Sequence, residues 1–136
     1  MNNRKLLFIV NVDWFFISHR LPIALEAIHK GYEVHIATTI IDRLDFLLDK
    51  GLIVHPINLH RSQSGIIAIT SEFLEIFSLV RKISPDIVHL VTIKPVLLGG
   101  LATRLLSTPS VVSAISGLGF VFMNNGFTTL LRRKVV

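Results

Sequence analysis

Apolar and polar residues alternate along the chain in blocks that predict strands separated by helices. Short apolar runs predict buried strands at residues 5–12, 32–38, 52–59, 87–92 and 109–116. Apolar positions at helical spacing predict helices at residues 18–30, 41–51, 66–83 and 94–106. Strands that are apolar along their whole length are typical of a parallel sheet covered on both faces. The pattern therefore predicts an α/β fold, a doubly wound, Rossmann-like parallel sheet of order 3-2-1-4-5 in a single domain over residues 1–136.

For two of the helices the sequence also predicts how they pack. The helix at 66–83 has an inner apolar stripe and a polar opposite side holding Glu72, Glu75 and Lys82; the stripe consists of Ile66, Ile69, Phe73, Ile76, Phe77, Val80 and Ile83. The helix at 94–106 contains Gly99 and Gly100, each of which costs about 1 kcal/mol relative to alanine. Close packing of this helix on the sheet is the compensation that we expect.

Composition narrows the class of protein. The chain has 136 residues, is 51% hydrophobic and 17% charged, and contains no cysteine, which excludes disulfides and thiolate metal sites. Asn11 and Asp13 interrupt the first apolar run and no cleavage site follows, so this run predicts a strand rather than a signal peptide. No window approaches the roughly 18 apolar residues of a membrane span. We expect a cytoplasmic protein.

The net charge of +5 is unevenly distributed. Lys/Arg and Asp/Glu balance through Asp86, and the excess lies entirely beyond it, in Lys94, Arg104, Arg132, Arg133 and Lys134. This excess is either an ordinary solvated basic face or a surface attracted to phosphates or anionic lipid. The short run at 132–134 is too small to indicate nucleic-acid binding.

The predicted strand order brings three separated segments to one crevice. The sheet reverses direction between its first and fourth strands, and ligands of such folds bind at the carboxyl ends of the flanking strands. Those ends are followed by "NVDWFFISHR", "VTIKP" and "SGLG", which supply the polar groups Asp13, His19, Arg20, Thr92, Lys94 and Ser116 and the backbone at Gly117 and Gly119.

The chemistry of these segments favours a glycan over a dinucleotide. The segment after the first strand has no glycine, so side chains rather than bare backbone would contact a ligand there. Carboxylate, histidine and aromatic rings suit sugar hydroxyls and ring faces, while Lys94 and the start of its helix suit a phosphate. Each group also has a structural alternative: the aromatics could be core residues, His19 a local cap, Asp13 a partner of nearby amides, and Lys94 an ordinary surface lysine.

Other chemistries lack their motifs. "GLGFVF" has no third glycine and follows a late strand, and the chain has neither a Walker loop nor a nucleophile elbow. No histidine pair has metal-ligand spacing on a helix, so we predict no metal site. His35, His55 and His89 lie within strands and are expected to be buried histidines with hydrogen-bond partners.

Three stretches together resemble the amino-terminal domain of bacterial family 4 glycosyltransferases of the GT-B architecture: "NVDWFFISHRLPIALEAIHKGYEVHIAT", "DIVHLVTIKPVLLGGLATRLL" and "VVSAISGLGFVF". The resemblance covers essentially the whole chain. It implies a retaining, metal-free enzyme without other cofactors, which builds surface polysaccharides by hexosyl or N-acetylhexosaminyl transfer.

The same resemblance implies that this domain binds a glycan or polyprenyl-diphosphate-linked acceptor. The acceptor-binding residues would be Asp13, His19, Arg20, Lys94, Ser116, Gly117 and Gly119, and no catalytic residue is assigned. A membrane-borne acceptor would give Arg132, Arg133 and Lys134 a role in contacting the inner face of the cytoplasmic membrane.

Chains of that family are usually more than twice as long as this one. We therefore expect an incomplete first domain, a nucleotide-sugar donor bound by a carboxyl-terminal domain absent from this chain, and no transfer by these 136 residues alone. The alternative is a non-catalytic subunit that recruits a separate catalytic chain to the membrane. A flavodoxin-like or regulatory domain is a third interpretation, but the acidic clusters or phosphate-binding loops that it needs are missing from the sequence.

Overall fold

Five parallel strands form a single sheet in the order β3-β2-β1-β4-β5. The computed structural model describes residues 3–59 and 65–115. The strands are β1 (Lys5–Val12), β2 (Glu33–Thr39), β3 (Ile53–Pro56), β4 (Ile87–Val91) and β5 (Ser110–Ala114). The predicted fold class and strand order are confirmed.

Helices cover the two faces of this sheet. They are α1 (Asp13–His19), α2 (Leu21–His29), α3 (Leu44–Asp49), α4 (Ile66–Ile83) and α5 (Ile93–Leu105). The first three pack on one face, around Phe8, Phe16 and Ile36, and the last two pack on the other, around Leu7, Ile76 and Leu90. Right-handed crossovers explain this division, because connections that run toward β3 and toward β5 must pass on opposite faces.

The segment after β1 is helical from residue 13, which corrects the prediction that the first helix starts at residue 18. α1 begins at Asp13, directly after the strand, and Arg20 separates it from α2. Phe16 is fully buried and meets Phe8 edge-on, with ring centroids 5.3 Å apart. Burial of this aromatic ring against β1 supplies the packing that allows so short a helix to form.

α4 spans the predicted residues, but its buried stripe differs from the predicted one. Ile66 is 86% exposed and Ile69 is also exposed, whereas Glu72 is buried. The buried side thus starts nearly two turns later than expected, and the first residues of α4 are exposed. Glu72 enters the interior because it pairs with Lys94 at 2.9 Å.

Close packing of α5 on the sheet is confirmed for Gly99 but not for Gly100. A Cβ atom on Gly99 would lie 2.5 Å from Cδ2 of Leu90, a fully buried residue of β4. A Cβ atom on Gly100 would meet no atom within 4 Å. Contact with the sheet therefore requires a glycine at position 99 but not at position 100.

These neighbouring glycines give a matched pair of variants. Gly99→Ala and Gly100→Ala gain the same helix propensity, about 1 kcal/mol, but only the first forces the Leu90 side chain to move. We expect Gly100→Ala to raise the free energy of unfolding. The free energy of unfolding of Gly99→Ala should be lower than that of Gly100→Ala by roughly 1–3 kcal/mol, the usual penalty for overpacking. Urea unfolding monitored by circular dichroism measures both, and equal stabilities would contradict the close contact.

Candidate functional site

The predicted crevice belongs at the edge where β1 and β4 lie side by side and their chain continuations separate. Val10 pairs with Val91, and beyond this pair β1 leads into α1 on one face while β4 leads into α5 on the other. The adjacency of the first and fourth strands, on which the predicted site depends, is therefore confirmed. Asp13 and Lys94 each follow that last pair by three residues, so both lie at the same edge of the sheet.

The Asp13 side chain is fully buried and turned toward the loop between β2 and α3. Its Oδ2 accepts hydrogen bonds from the backbone N–H groups of Ile41, Asp42 and Arg43 at 3.0, 3.2 and 3.0 Å, and its Oδ1 accepts one from the Trp14 N–H at 2.7 Å. Two oxygen atoms thus serve four backbone donors. The carboxylate fastens the start of α3 to the start of α1.

These bonds determine the protonation of Asp13. Burial alone would raise the pKa of its carboxyl group, but the four backbone N–H donors outweigh burial and hold the pKa below the ordinary value of 3.8. Hydrogen bonds that favour the charged form act in this direction. Asp13 is therefore an ionised structural anchor with little basicity, and its predicted contact with an acceptor stays a prediction.

His19 and Arg20 come at the end of α1, in the segment that is predicted to line the crevice. The exposed His19 ring stacks on Phe15, with centroids 4.0 Å apart, and its Nδ1 lies 3.1 Å from the Phe15 carbonyl oxygen. The Arg20 guanidinium donates to the His19 carbonyl oxygen at 3.0 Å. Trp14, 48% exposed, lies on the preceding turn of the same helix. α1 and Arg20 thus present aromatic faces and a cation beside one another.

Lys94 is paired inside the protein rather than extended into solvent. Its ammonium lies 2.9 and 3.0 Å from the two carboxylate oxygens of Glu72, and the two side chains are 26% and 5% exposed. α4 and α5 are thereby linked next to the crevice. The pair carries no net charge, so the positive charge expected at this edge for a phosphate is largely balanced by Glu72.

The structure also reveals a polar residue that the sequence interpretation overlooked. Asn11 is only 7% exposed, yet within residues 3–59 and 65–115 its Oδ1 has no hydrogen-bond partner. The same holds for Oγ1 of Thr92, which was placed at the crevice without a role. An amide side chain inside an otherwise apolar run was the signal available in the sequence for Asn11.

The strand histidines divide into two kinds. His35 and His55 have hydrogen-bond partners, as predicted. Nδ1 of His35 lies 2.9 Å from Nε2 of His55, and Nε2 of His35 lies 2.7 Å from Oε1 of Glu33. His89 packs against Phe8, but in the described part of the chain its Nε2 has no partner. Burial, and then the nearby Arg20 cation, lower the pKa of His89 below 6.5, so this ring is neutral at physiological pH.

Several predicted site residues lie outside the described residues: Ser116, Gly117 and Gly119, and the membrane-contact residues Arg132, Arg133 and Lys134. Over the described ranges, no group of three His, Asp or Glu side chains is arranged to hold a metal ion. No helix in those ranges is long and apolar enough to cross a membrane.

The anchoring role of Asp13 predicts a large loss of stability on amide substitution. Asp13→Asn keeps the shape but replaces one acceptor with a donor that faces backbone N–H groups, so the free energy of unfolding should fall by roughly 2–4 kcal/mol. Asp42→Asn, on an exposed carboxylate, is the control and should change stability by less than about 0.5 kcal/mol.

The acid dependence of stability supplies an independent readout for Asp13. Because its pKa is lower in the folded chain than in the unfolded chain, its contribution is complete above pH 4 or so and is lost as the pH falls below 3.8. Asp13→Asn should lack this part of the acid transition. Urea unfolding between about pH 2.5 and 6 measures it, and an unchanged acid slope in the variant would contradict the assignment.

The Lys94–Glu72 pair predicts a second effect. Lys94→Ala leaves a buried carboxylate without its cation and should lower the free energy of unfolding by roughly 2–3 kcal/mol. Adding Glu72→Gln removes the uncompensated charge and should restore at least half of the loss. Lys30→Ala, in an exposed pair with Glu26, should cost below about 0.5 kcal/mol. A double variant less stable than Lys94→Ala would contradict a dominant role of the charge.

Comparison with solved structures shows how widely this fold is shared. A glycosyltransferase from Rickettsia africae superposes with a TM-score of 0.67 at 16% identity, covering 95% of this chain and 35% of its own. CalG4, the calicheamicin glycosyltransferase, gives 0.62 at 17%, with coverages of 96% and 41%. The C-terminal domain of a Pyrococcus furiosus hydrogenase gives 0.58 at 17%, with 84% and 94%. Identities this low show the fold alone.

The two glycosyltransferases are much longer than this chain, which spans 35% and 41% of their lengths. No curated protein matches the sequence. The family described as "Glycosyl transferase 4-like" does match, over residues 5–135. The chain therefore belongs to the glycosyl transferase 4-like family, and its sheet is that of one Rossmann-like half of a GT-B glycosyltransferase.

Proposed function

We propose that this chain is the acceptor-binding domain of a retaining glycosyltransferase. It receives a glycan or polyprenyl-diphosphate-linked acceptor to which a hexosyl or N-acetylhexosaminyl group is transferred in bacterial surface polysaccharide synthesis. Membership of the family supports the reaction class. The observation that carries the proposal is the adjacency of β1 and β4, because folds of this type bind ligands at the carboxyl ends of the strands where the sheet reverses direction.

The rim of the crevice supplies groups that suit a sugar. Trp14 presents an exposed ring beside the stacked Phe15–His19 pair, and aromatic faces pack on the apolar faces of sugar rings. Arg20 adds hydrogen-bond donors next to them. These residues bind the acceptor. Asp13 acts indirectly, because it fixes the helix on which Trp14 and His19 lie.

Asp13 does not serve as a general base in this proposal. Its oxygens are occupied by four N–H donors and its pKa lies below the ordinary value, so it takes up a proton poorly. We assign no base to this chain: in a retaining reaction of this kind the leaving diphosphate of the donor can accept the proton. The nucleotide-sugar donor binds a second domain, and the 136 residues alone do not transfer sugar.

A soluble acceptor analogue tests the proposed site. Farnesyl-diphosphate-linked N-acetylglucosamine added to the 15N-labelled chain should shift the backbone amide signals of residues 13–20 and 92–96. Farnesyl diphosphate without the sugar is the control and should cause smaller shifts there. His19→Ala, on an exposed ring, should weaken binding about three- to tenfold without changing the fold. Shifts confined to other surfaces would overturn the acceptor site.

Contact with the membrane is a separate part of the proposal. Each basic residue near an anionic surface contributes about 1 kcal/mol of binding free energy, and the chain has three at Arg132, Arg133 and Lys134. Such binding is weak, and salt should reverse it. Co-sedimentation with liposomes containing about one-third phosphatidylglycerol should exceed that with neutral liposomes and decline at high salt, and replacing all three residues with glutamine should abolish the difference. Binding that depends on neither lipid charge nor salt would contradict the proposed membrane contact.

A further inference from the structure

Immediately after the last β1–β4 residue pair, each strand continues with a residue that has a buried polar atom without a hydrogen-bond partner among the described residues. Asn11 follows Val10 and Thr92 follows Val91, and Val10 and Val91 are partners in the sheet. Within the described residues, neither Oδ1 of Asn11 nor Oγ1 of Thr92 has a hydrogen bond. A buried polar atom left unpaired costs about 1–3 kcal/mol. Two such atoms, each one residue beyond the same strand pair, favour a ligand as their missing partner.

The backbone is irregular at both positions. Thr92 has φ 76° and ψ 168°, a conformation populated almost solely by glycine. Asn11 lies where the pairing of β1 with β2 shifts register, between Val10 and Val12. Irregularities of this kind redirect side chains near functional sites. The protein therefore keeps a threonine hydroxyl at a position where glycine would be less strained.

The start of α5 adds hydrogen-bond donors beside these atoms. Thr92 is the N-cap residue of this 13-residue helix, and in the described chain its side chain makes no capping bond. The first N–H groups of any helix lack partners within it; here those of Ile93 and Lys94 precede Pro95, which has none. Lys94, the cation in the first turn of α5, is paired with the buried Glu72 carboxylate.

We propose that Asn11 and Thr92 form a subsite for uncharged sugar hydroxyls of the acceptor; this inference rests on the proposed function and names the chemistry of its site. Oδ1 of Asn11 accepts a hydrogen bond from one hydroxyl, and Oγ1 of Thr92 exchanges one with the same or a neighbouring hydroxyl. We assign neutral hydroxyls rather than a phosphate to this subsite, because phosphate oxygens would face the amide oxygen of Asn11 and because Lys94 is already paired with Glu72. The diphosphate of a lipid-linked acceptor therefore lies away from α5.

The test uses the full 136-residue chain and neutral probes. Methyl glycosides of the common hexoses and N-acetylhexosamines are titrated to tens of millimolar into 15N-labelled protein, with inorganic pyrophosphate as the anionic comparison. At least one glycoside should shift the amide signals of Thr92 and Ile93, and pyrophosphate should not. Thr92→Val and Asn11→Leu should each weaken glycoside binding about three- to tenfold, the range for one hydrogen bond to an uncharged group.

Stability measurements separate recognition from a structural role. Thr92→Gly should raise the melting temperature by roughly 2–6 °C because it relieves the backbone strain, yet it should weaken glycoside binding like Thr92→Val. Thr92→Ser keeps the hydroxyl and should restore binding. Thr70→Val removes an exposed hydroxyl of α4 that bonds to the Ile66 carbonyl oxygen, and this control should leave binding unchanged.

The outcomes distinguish this inference from the proposed function. If a glycoside binds at the crevice but Thr92→Val and Asn11→Leu bind it as tightly as the unmodified chain, the subsite is wrong and the acceptor site stands. If pyrophosphate shifts these amides more strongly than any glycoside, the subsite is anionic and the inference is again overturned. If neither the glycosides nor the farnesyl-linked sugar perturb the crevice, the proposed function fails together with the subsite.

Discussion

The side-by-side pairing of β1 with β4 is the constraint on which the rest of the structure depends. These two central strands are parallel and almost entirely buried, and their continuations pass to opposite faces of the sheet. Right-handed crossovers leave no other arrangement once the sheet grows in both directions from β1. The separation of the two continuations opens the crevice, so the binding edge is a consequence of how the core is covered.

Buried polar groups at this edge serve two different purposes. Asp13 and the Lys94–Glu72 pair are satisfied within the protein, one by four backbone N–H groups and the other by its opposite charge. They fix α1, α3, α4 and α5 around the crevice. Asn11 and Thr92 retain unpaired atoms in the described chain, which favours a ligand over a structural role. Asp13, Glu72 and Lys94 thus have structural partners, whereas the two uncharged side chains do not have them among the described residues.

The prediction succeeded where neighbouring residues decide the outcome. The residues of α4, the extent of β1 and the strand order follow from local periodicity and from the rules of parallel sheets. It was less successful for side chains whose partners are distant in sequence. Asp13 meets amides 28 to 30 residues away, and Lys94 meets Glu72 22 residues away; neither partner carries a local signal that identifies it.

The sequence by itself determined the fold class, the pairing of the first strand with the fourth, and the family, because all three depend on the order and spacing of apolar runs and short motifs. Only the tertiary structure decided what each polar residue does there. The Asp13 carboxylate and the Lys94 ammonium have partners within the protein, and Asn11, which interrupts an apolar run in the sequence, is a buried amide with an unpaired oxygen in the described chain. The physical reason is that burial and hydrogen bonding are set by which groups meet in space, and strand packing brings together groups far apart in the chain.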